Sequence, residues 1–130
     1  FLRVALSASY LSAVADRFGF WPAKLSAWGN WEHFLAYTKS LNFYLPENSI
    51  PVVGIIATIA EILLGKILLI PFKTNLFAKL SGVMLLVFGF TMVVAIGIKA
   101  PLDYSVFTGA AASLALSYLT KKTTSPYRVD

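Results

Sequence analysis

Long apolar stretches separated by short polar segments dominate this 130-residue chain. Four stretches are long enough to predict membrane-spanning helices. They cover residues 2–20, 51–70, 76–98 and 102–119. Polar turns fall near residues 71–75 and 99–103; both contain proline, and the first also contains asparagine. The pattern predicts an all-α, polytopic four-helix membrane bundle that forms one domain over residues 1–120, followed by a polar cytoplasmic tail at 121–130.

Residues 28–42, between the first two apolar stretches, predict a short amphipathic helix. Trp31, Phe34 or Leu35, Thr38 and Leu41 recur there at helical spacing. Tryptophan and tyrosine concentrate where a bilayer meets water. We therefore expect an aromatic interfacial helix that lies on one face of the membrane and caps the bundle.

The first apolar stretch is interrupted near its end by Asp16 and Arg17. Only the 12 residues from Val4 to Ala15 are uninterrupted. They make about 18 Å of helix, against a bilayer core of about 30 Å. Either the two charged residues lie within or at the edge of the membrane, or residues upstream of Phe1 supply the missing length.

Composition and charge exclude several kinds of functional site. The absence of cysteine excludes disulfides, dithiol chemistry and thiolate metal sites within the chain, and one histidine is too few for bis-histidine haem ligation in one copy. The net charge of +5 follows the two predicted membrane sides rather than indicating nucleic acid. One side has seven Lys or Arg and one acid, and the other has four of each. Both termini are therefore expected in the cytoplasm.

Small residues recur about every four positions in each apolar stretch, which is typical of helix faces that pack closely in lipid. The predicted packing faces are Ala8, Ser12 and Asp16; Gly54, Thr58, Glu61 and Gly65; Ala78, Gly82 and Gly89; and Ser105, Gly109, Ser113 and Ser117. Glu61 is thus expected on a packed face rather than facing lipid.

Glu61 falls near the middle of the second apolar stretch, where a carboxylate costs a few kcal/mol or more. Arg17 and Asp16 are its predicted neighbours, because an arginine keeps a buried carboxylate charged. Three interpretations are open: a buried ion pair that fixes the helix register, a polar pocket open toward the extracytoplasmic side, and a lone protonated Glu61.

Other polar and aromatic side chains complete a candidate ligand site around Glu61. With Glu61, Arg17 and Asp16, the predicted ligand-binding residues are Thr58, Trp31, His33, Tyr37, Thr91, Tyr104 and Thr108. Trp31 and His33 also fit a simpler interpretation, as an interface anchor and an interfacial polar residue. Since no phosphate loop, catalytic triad or metal-ligand spacing is present, we expect neither catalysis by the chain alone nor an intrinsic cofactor or metal.

The run from Glu61 to Gly82, EILLGKILLIPFKTNLFAKLSG, resembles the core signature of the DoxX family. The opening Arg3-Val-Ala-Leu and the motif Asp16-Arg17-Phe18-Gly19 before an aromatic loop are similar to that family as well. The resemblance implies a four-helix protein of the bacterial inner membrane. It also implies a subunit of a quinone-linked oxidoreductase or a stress-related complex, with a bound quinone or lipid and a membrane or periplasmic protein partner.

Three functions are compatible with these features. The first is a membrane subunit that binds a quinone or another lipophilic molecule beneath the aromatic helix, with Glu61 orienting it or accepting a proton. The second is a structural or assembly subunit with no ligand of its own. The third is a small lipid or solute transporter, for which four helices are few, so a homo-oligomer would be needed.

Overall fold

The computed structural model describes residues 1–121, and within that range the fold is all-α. Its helices are α1 (Leu2–Arg17), α2 (Trp31–Leu41), α3 (Ile50–Ile67), α4 (Thr74–Ile96), α5 (Lys99–Asp103) and α6 (Val106–Leu119). A 3₁₀ turn at Glu47–Ser49 leads into α3. The predicted tail at 121–130 lies outside the described residues, except for Lys121.

The predicted all-α class is confirmed, although helix boundaries differ. Helix α1 ends at Arg17 rather than at residue 20, because Gly19 turns the chain with a φ of 76°. The aromatic helix α2 begins only after Asn30, whose Oδ1 accepts the backbone N–H of His33 at 2.8 Å and so caps the helix. Helices α3 and α4 differ from their predicted bounds by three residues or fewer at each end.

The fourth predicted helix, 102–119, is divided in two in the structure. Helix α5 ends at Asp103, and α6 begins at Val106. Between them Ser105 adopts the left-handed conformation with a φ of 56°, which residues with a side chain rarely take. Hydropathy does not signal such a break, because it depends on the backbone conformation of one residue that is neither glycine nor asparagine.

Helices α4 and α6 form the most extensive helix pair, since small residues let their backbones approach closely. A Cβ placed on Gly82 would lie 2.7 Å from Leu114 Cδ2, so Leu114 occupies the space that this glycine leaves. The buried hydroxyls of Ser81 and Ser113 share a hydrogen bond of 2.8 Å. The predicted packing faces are confirmed at Gly82 and Ser113, whereas Ser105 is exposed.

Helix α1 packs mainly against α3. Its buried residues are Leu6, Ser7, Tyr10, Val14, Asp16 and Arg17. The predicted α1 packing face is wrong at Ala8 and Ser12, which are exposed, because larger side chains fill the contact instead. Tyr10 joins α1 to α4 through a 2.5 Å hydrogen bond between its hydroxyl and that of Ser81.

Two helices are long and apolar enough to cross a membrane, Thr74–Ile96 and the segment Glu47–Ile67 that includes the 3₁₀ turn. Only 22% and 33% of their most apolar windows, respectively, are buried inside the protein. Their exposed large apolar residues include Val52, Ile55, Ile56, Ile59, Leu63, Leu80, Val83, Val87, Phe90 and Val94. Soluble monomers rarely expose so continuous an apolar surface.

We expect Gly82→Val to destabilise the α4–α6 pair, because the new side chain would overlap Leu114. Overpacking of this kind typically costs about 1–3 kcal/mol. Thermal unfolding in detergent measures the loss, and Leu114→Ala in the double variant should recover part of it. Val83→Ile, on the exposed side of α4, is the matched control. Equal melting temperatures for the two single variants would contradict this packing.

Candidate functional site

Glu61 is buried on α3, with 5% of its surface exposed, and Arg17 of α1 lies beside it. Arg17 Nη2 forms an ion pair with Glu61 Oε2, and Arg17 Nη1 donates a 2.8 Å hydrogen bond to Thr58 Oγ1. Thr58 is three residues before Glu61 on the same helical face, and its hydroxyl donates to the Gly54 carbonyl at 2.7 Å. The predicted pairing of Glu61 with Arg17 is confirmed.

The aromatic cap lies over this ion pair; it comprises Trp28, Trp31, Phe34 and Tyr37. The Arg17 guanidinium carbon is 4.0 Å from the Phe34 ring centroid and 5.4 Å from that of Trp28. Guanidinium groups stack favourably on aromatic faces, and rings in this position also keep water from the charges. Trp31 stacks on Phe18, which lies in the loop after α1, with 5.7 Å between ring centroids.

Asp16 holds the loop that carries Trp28. Its carboxylate accepts backbone N–H groups from Ala27 at 2.7 Å, Trp28 at 3.2 Å and Gly29 at 3.1 Å. These bonds fold residues 18–30 back over the end of α1, and they satisfy a buried carboxylate without a cation. Within residues 1–121 Asp16 has no ion pair with Arg17, so its role is to position the cap.

A groove with a volume of about 370 Å³ lies between α1 and α6; we call it the α1–α6 groove. Its α1 wall extends from Leu2 to Ala13, which is about 16 Å at 1.5 Å per residue. Small side chains keep it open on both sides, at Ala5, Ser9, Gly109 and Ala112. Glu61 of α3 also lines the groove, so the buried ion pair borders an otherwise largely apolar space.

A second cavity, of about 480 Å³, lies between α1 and the loop before α2. Asp16, Trp21 and Trp28 line it, and it shares Ser9 and Ala13 with the α1–α6 groove. The two cavities are therefore neighbouring depressions along one side of α1.

The structure separates the predicted ligand-binding residues into groups. Glu61, Tyr104 and Thr108 line the α1–α6 groove, whereas Arg17 pairs with Glu61 and donates to Thr58 outside the groove lining. The remaining five, Asp16, Trp31, His33, Tyr37 and Thr91, do not line the groove. The cavity at Glu61 thus opens between α1 and α6 rather than beneath the aromatic cap.

Tyr37 of the aromatic helix lies near Tyr104, which is at the rim of the groove. Burial raises the pKa of the Tyr37 phenol above its ordinary value, and the nearby Tyr104 adds to the rise. Tyr104 itself is 70% exposed and follows α5. His33 is exposed on α2, with its Nδ1 2.9 Å from the Trp28 carbonyl oxygen, and Thr91 is half-buried on α4.

Sequence reasoning missed the α1 wall of the groove, formed by Leu2, Ala5, Ser9 and Tyr10. The available signal was the spacing Ala5, Ser9, Ala13, which is a second small-residue stripe on the same helix. It runs beside the stripe Ala8, Ser12, Asp16, and periodicity alone does not distinguish two such neighbouring faces.

The Glu61 carboxylate can act as a hydrogen-bond acceptor. Within residues 1–121 no group of three His, Cys, Asp or Glu side chains is placed to hold a metal ion. Over the same residues Glu61 Oε2 is enclosed and paired with Arg17, whereas Glu61 Oε1 is not enclosed and receives no hydrogen bond. An ionised carboxylate has about four acceptor positions. Glu61 can therefore accept hydrogen bonds from a donor in the groove.

We expect Arg17→Gln and Glu61→Gln each to lower stability by about 3–5 kcal/mol, because each leaves a buried charge without its partner. The double variant should lose less than the sum of the two, which unfolding in detergent would measure as a coupling free energy. The exposed pair Lys39–Glu47 is the control, and its removal should leave the melting temperature unchanged. Strict additivity at residues 17 and 61 would contradict the pairing.

Asp16→Asn should loosen the loop before α2, because an amide presents one acceptor oxygen where the carboxylate presents two. Hydrogen exchange at the backbone amides of Ala27, Trp28 and Gly29 should become about tenfold faster or more. Glu32→Gln, at an exposed position of α2, is the control. Unchanged protection at all three amides in Asp16→Asn would refute this role.

No protein-family model, curated protein or solved structure matches this chain. The resemblance to the DoxX family therefore stays a prediction, and the function of the chain has to be inferred from its fold and its site.

Proposed function

We propose that the chain is an integral membrane protein that binds a lipophilic small molecule in the α1–α6 groove, with Glu61 as the polar anchor for the head group. The position of Glu61 carries this proposal, since a carboxylate that is 5% exposed lines an otherwise largely apolar groove. Such a group is costly to keep in an apolar setting. An ion pair with a purely structural role gains nothing from bordering a cavity.

Membrane embedding is supported by the exposed apolar faces of α3 and α4. We place α1, α3, α4 and the α5–α6 segment across the bilayer of the bacterial inner membrane, as the DoxX resemblance favours. Helix α6 has 14 residues, about 21 Å, and α5, before the break at Ser105, supplies the rest of a core of about 30 Å. The excess of Lys and Arg at the end opposite α2 supports an orientation with both termini in the cytoplasm.

A ligand with an alkyl tail suits the dimensions of the groove. The volume of about 370 Å³ falls in the lower part of the range for small-molecule sites, roughly 300–1,000 Å³. Its length of about 16 Å along α1 favours an elongated molecule, and its side position gives access from the lipid phase. A membrane quinone or its hydroquinone has these dimensions, in agreement with the DoxX resemblance and with a role in a redox or stress-related complex.

A structural or assembly role is the second candidate. It is favoured by the contacts of Arg17, which link Glu61 and Thr58 of α3 to Phe34 of α2. In that case the ion pair fixes the arrangement of three helices, and the function lies in contacts with a partner protein.

Photolabelling in lipid nanodiscs tests the ligand proposal. The probes are an alkylphenol with a diazirine in its tail and the methyl ether of the same compound. We expect at least one of them to label α1 and α6 residues of the groove. Ala5→Leu should reduce this labelling several-fold by filling the groove, whereas Ala8→Leu, on the exposed side of the same helix, should not.

The outcomes separate the two candidate functions. Labelling by neither probe, or equal labelling of Ala5→Leu and Ala8→Leu, would exclude the groove as a ligand site. The structural role would then be the better description, provided that Glu61→Gln still lowers the melting temperature.

A further inference from the structure

We infer that the head group bound at Glu61 is a hydrogen-bond donor, such as a phenol, a hydroquinone or an alcohol, and that donor-free forms such as a quinone bind less tightly. This inference rests on the proposed function and adds to it the chemical class of the ligand. It follows from which groove side chains can still accept a hydrogen bond and which can donate one.

The ion pair with Arg17 favours the ionised, acceptor-only form of Glu61. The Arg17 guanidinium is always protonated, is 3% exposed and forms an ion pair with Glu61 Oε2. Protonation of Glu61 would leave that buried cation without a counter-charge. A carboxylate accepts hydrogen bonds and cannot donate one, so it presents only lone pairs to a ligand.

The other polar side chains of the groove are either engaged in hydrogen bonds or exposed. The Ser9 hydroxyl donates to the Ala5 carbonyl oxygen at 2.9 Å, and the Tyr10 hydroxyl is bonded to that of Ser81 at 2.5 Å. Tyr104, Ser105 and Thr108 are exposed at the rim, where water can satisfy their hydroxyls. Glu61 is therefore the buried group of the groove that retains acceptor capacity.

A head group is then selected by its own donors. A quinone carries two carbonyl acceptors and no donor, so it would place lone pairs against the Glu61 carboxylate and leave both unsatisfied. A hydroquinone of the same shape carries two hydroxyls, and either one can donate a charge-assisted hydrogen bond to the carboxylate. The ring and the tail are alike in the two forms, so only the polar contact distinguishes them.

A competition experiment tests this inference. It uses whichever of the two diazirine probes gives the stronger labelling of the unmodified protein. The competitors are 2-decyl-1,4-hydroquinone, 2-decyl-1,4-benzoquinone and 2-decyl-1,4-dimethoxybenzene, which share one tail and one ring. The chain has no cysteine, so a reductant can keep the hydroquinone reduced without altering a thiol. We expect the hydroquinone to compete at a concentration at least about tenfold lower than either donor-free compound.

The double variant Arg17→Gln/Glu61→Gln keeps the net charge of the pair and introduces an amide that both donates and accepts. Once its cooperative unfolding shows that it is folded, its preference for the hydroquinone should fall to about parity. An undiminished preference in this variant would overturn the assignment to Glu61. Equal competition by the three compounds on the unmodified protein would overturn the inference while leaving the groove as a lipophile site. Absence of groove labelling would instead reject the proposed function.

Discussion

Arg17 and Glu61 hold opposite charges in contact inside the bundle, and much of the surrounding structure keeps them there. Neither charge is tolerable alone at this burial, so the pair constrains α1 and α3 to one relative position. Thr58 accepts a second hydrogen bond from the guanidinium, and Phe34 covers its face. Asp16, the residue beside Arg17, fixes the loop that brings the aromatic cap into place. Two adjacent residues thus organise the contacts of three elements.

The bundle consists of two well-packed helix pairs, α1–α3 and α4–α6, with less extensive contact between α1 and α6. In the α4–α6 pair, side chains of the partner helix occupy the space beside the glycines, as Leu114 does at Gly82. Between α1 and α6 the small side chains of Ala5, Ser9 and Ala112 line the walls without filling the space between them, and the α1–α6 groove results. Small residues therefore allow close packing where a large side chain of the neighbouring helix fills the space, and they leave a groove where none does.

Hydropathy predicts the bounds of α3 and α4 to within three residues, because both are long, continuous apolar stretches. The Arg17–Glu61 pair was also predictable, since two isolated charges in apolar helices have few other ways to be satisfied. The break at Ser105 was not, because it depends on a left-handed backbone conformation rather than on composition. The role of Asp16 escaped prediction for a related reason: backbone N–H groups satisfy it, and they leave no trace in the side-chain pattern. The position of the groove depends on the rotation of α1, which packing decides.

The buried ion pair also bears on how the chain would enter a bilayer. Helix α1 precedes α3 in the sequence, so Arg17 would reach the membrane before its counter-charge on Glu61 is present. Insertion scales assign a cost of about 2.5–3.5 kcal/mol to an arginine at a helix centre, with a smaller cost near a helix end. If α1 waits at the translocon until α3 arrives, both charges are neutralised before either contacts lipid. Insertion of the first 67 residues would then be a single cooperative event rather than a stepwise one.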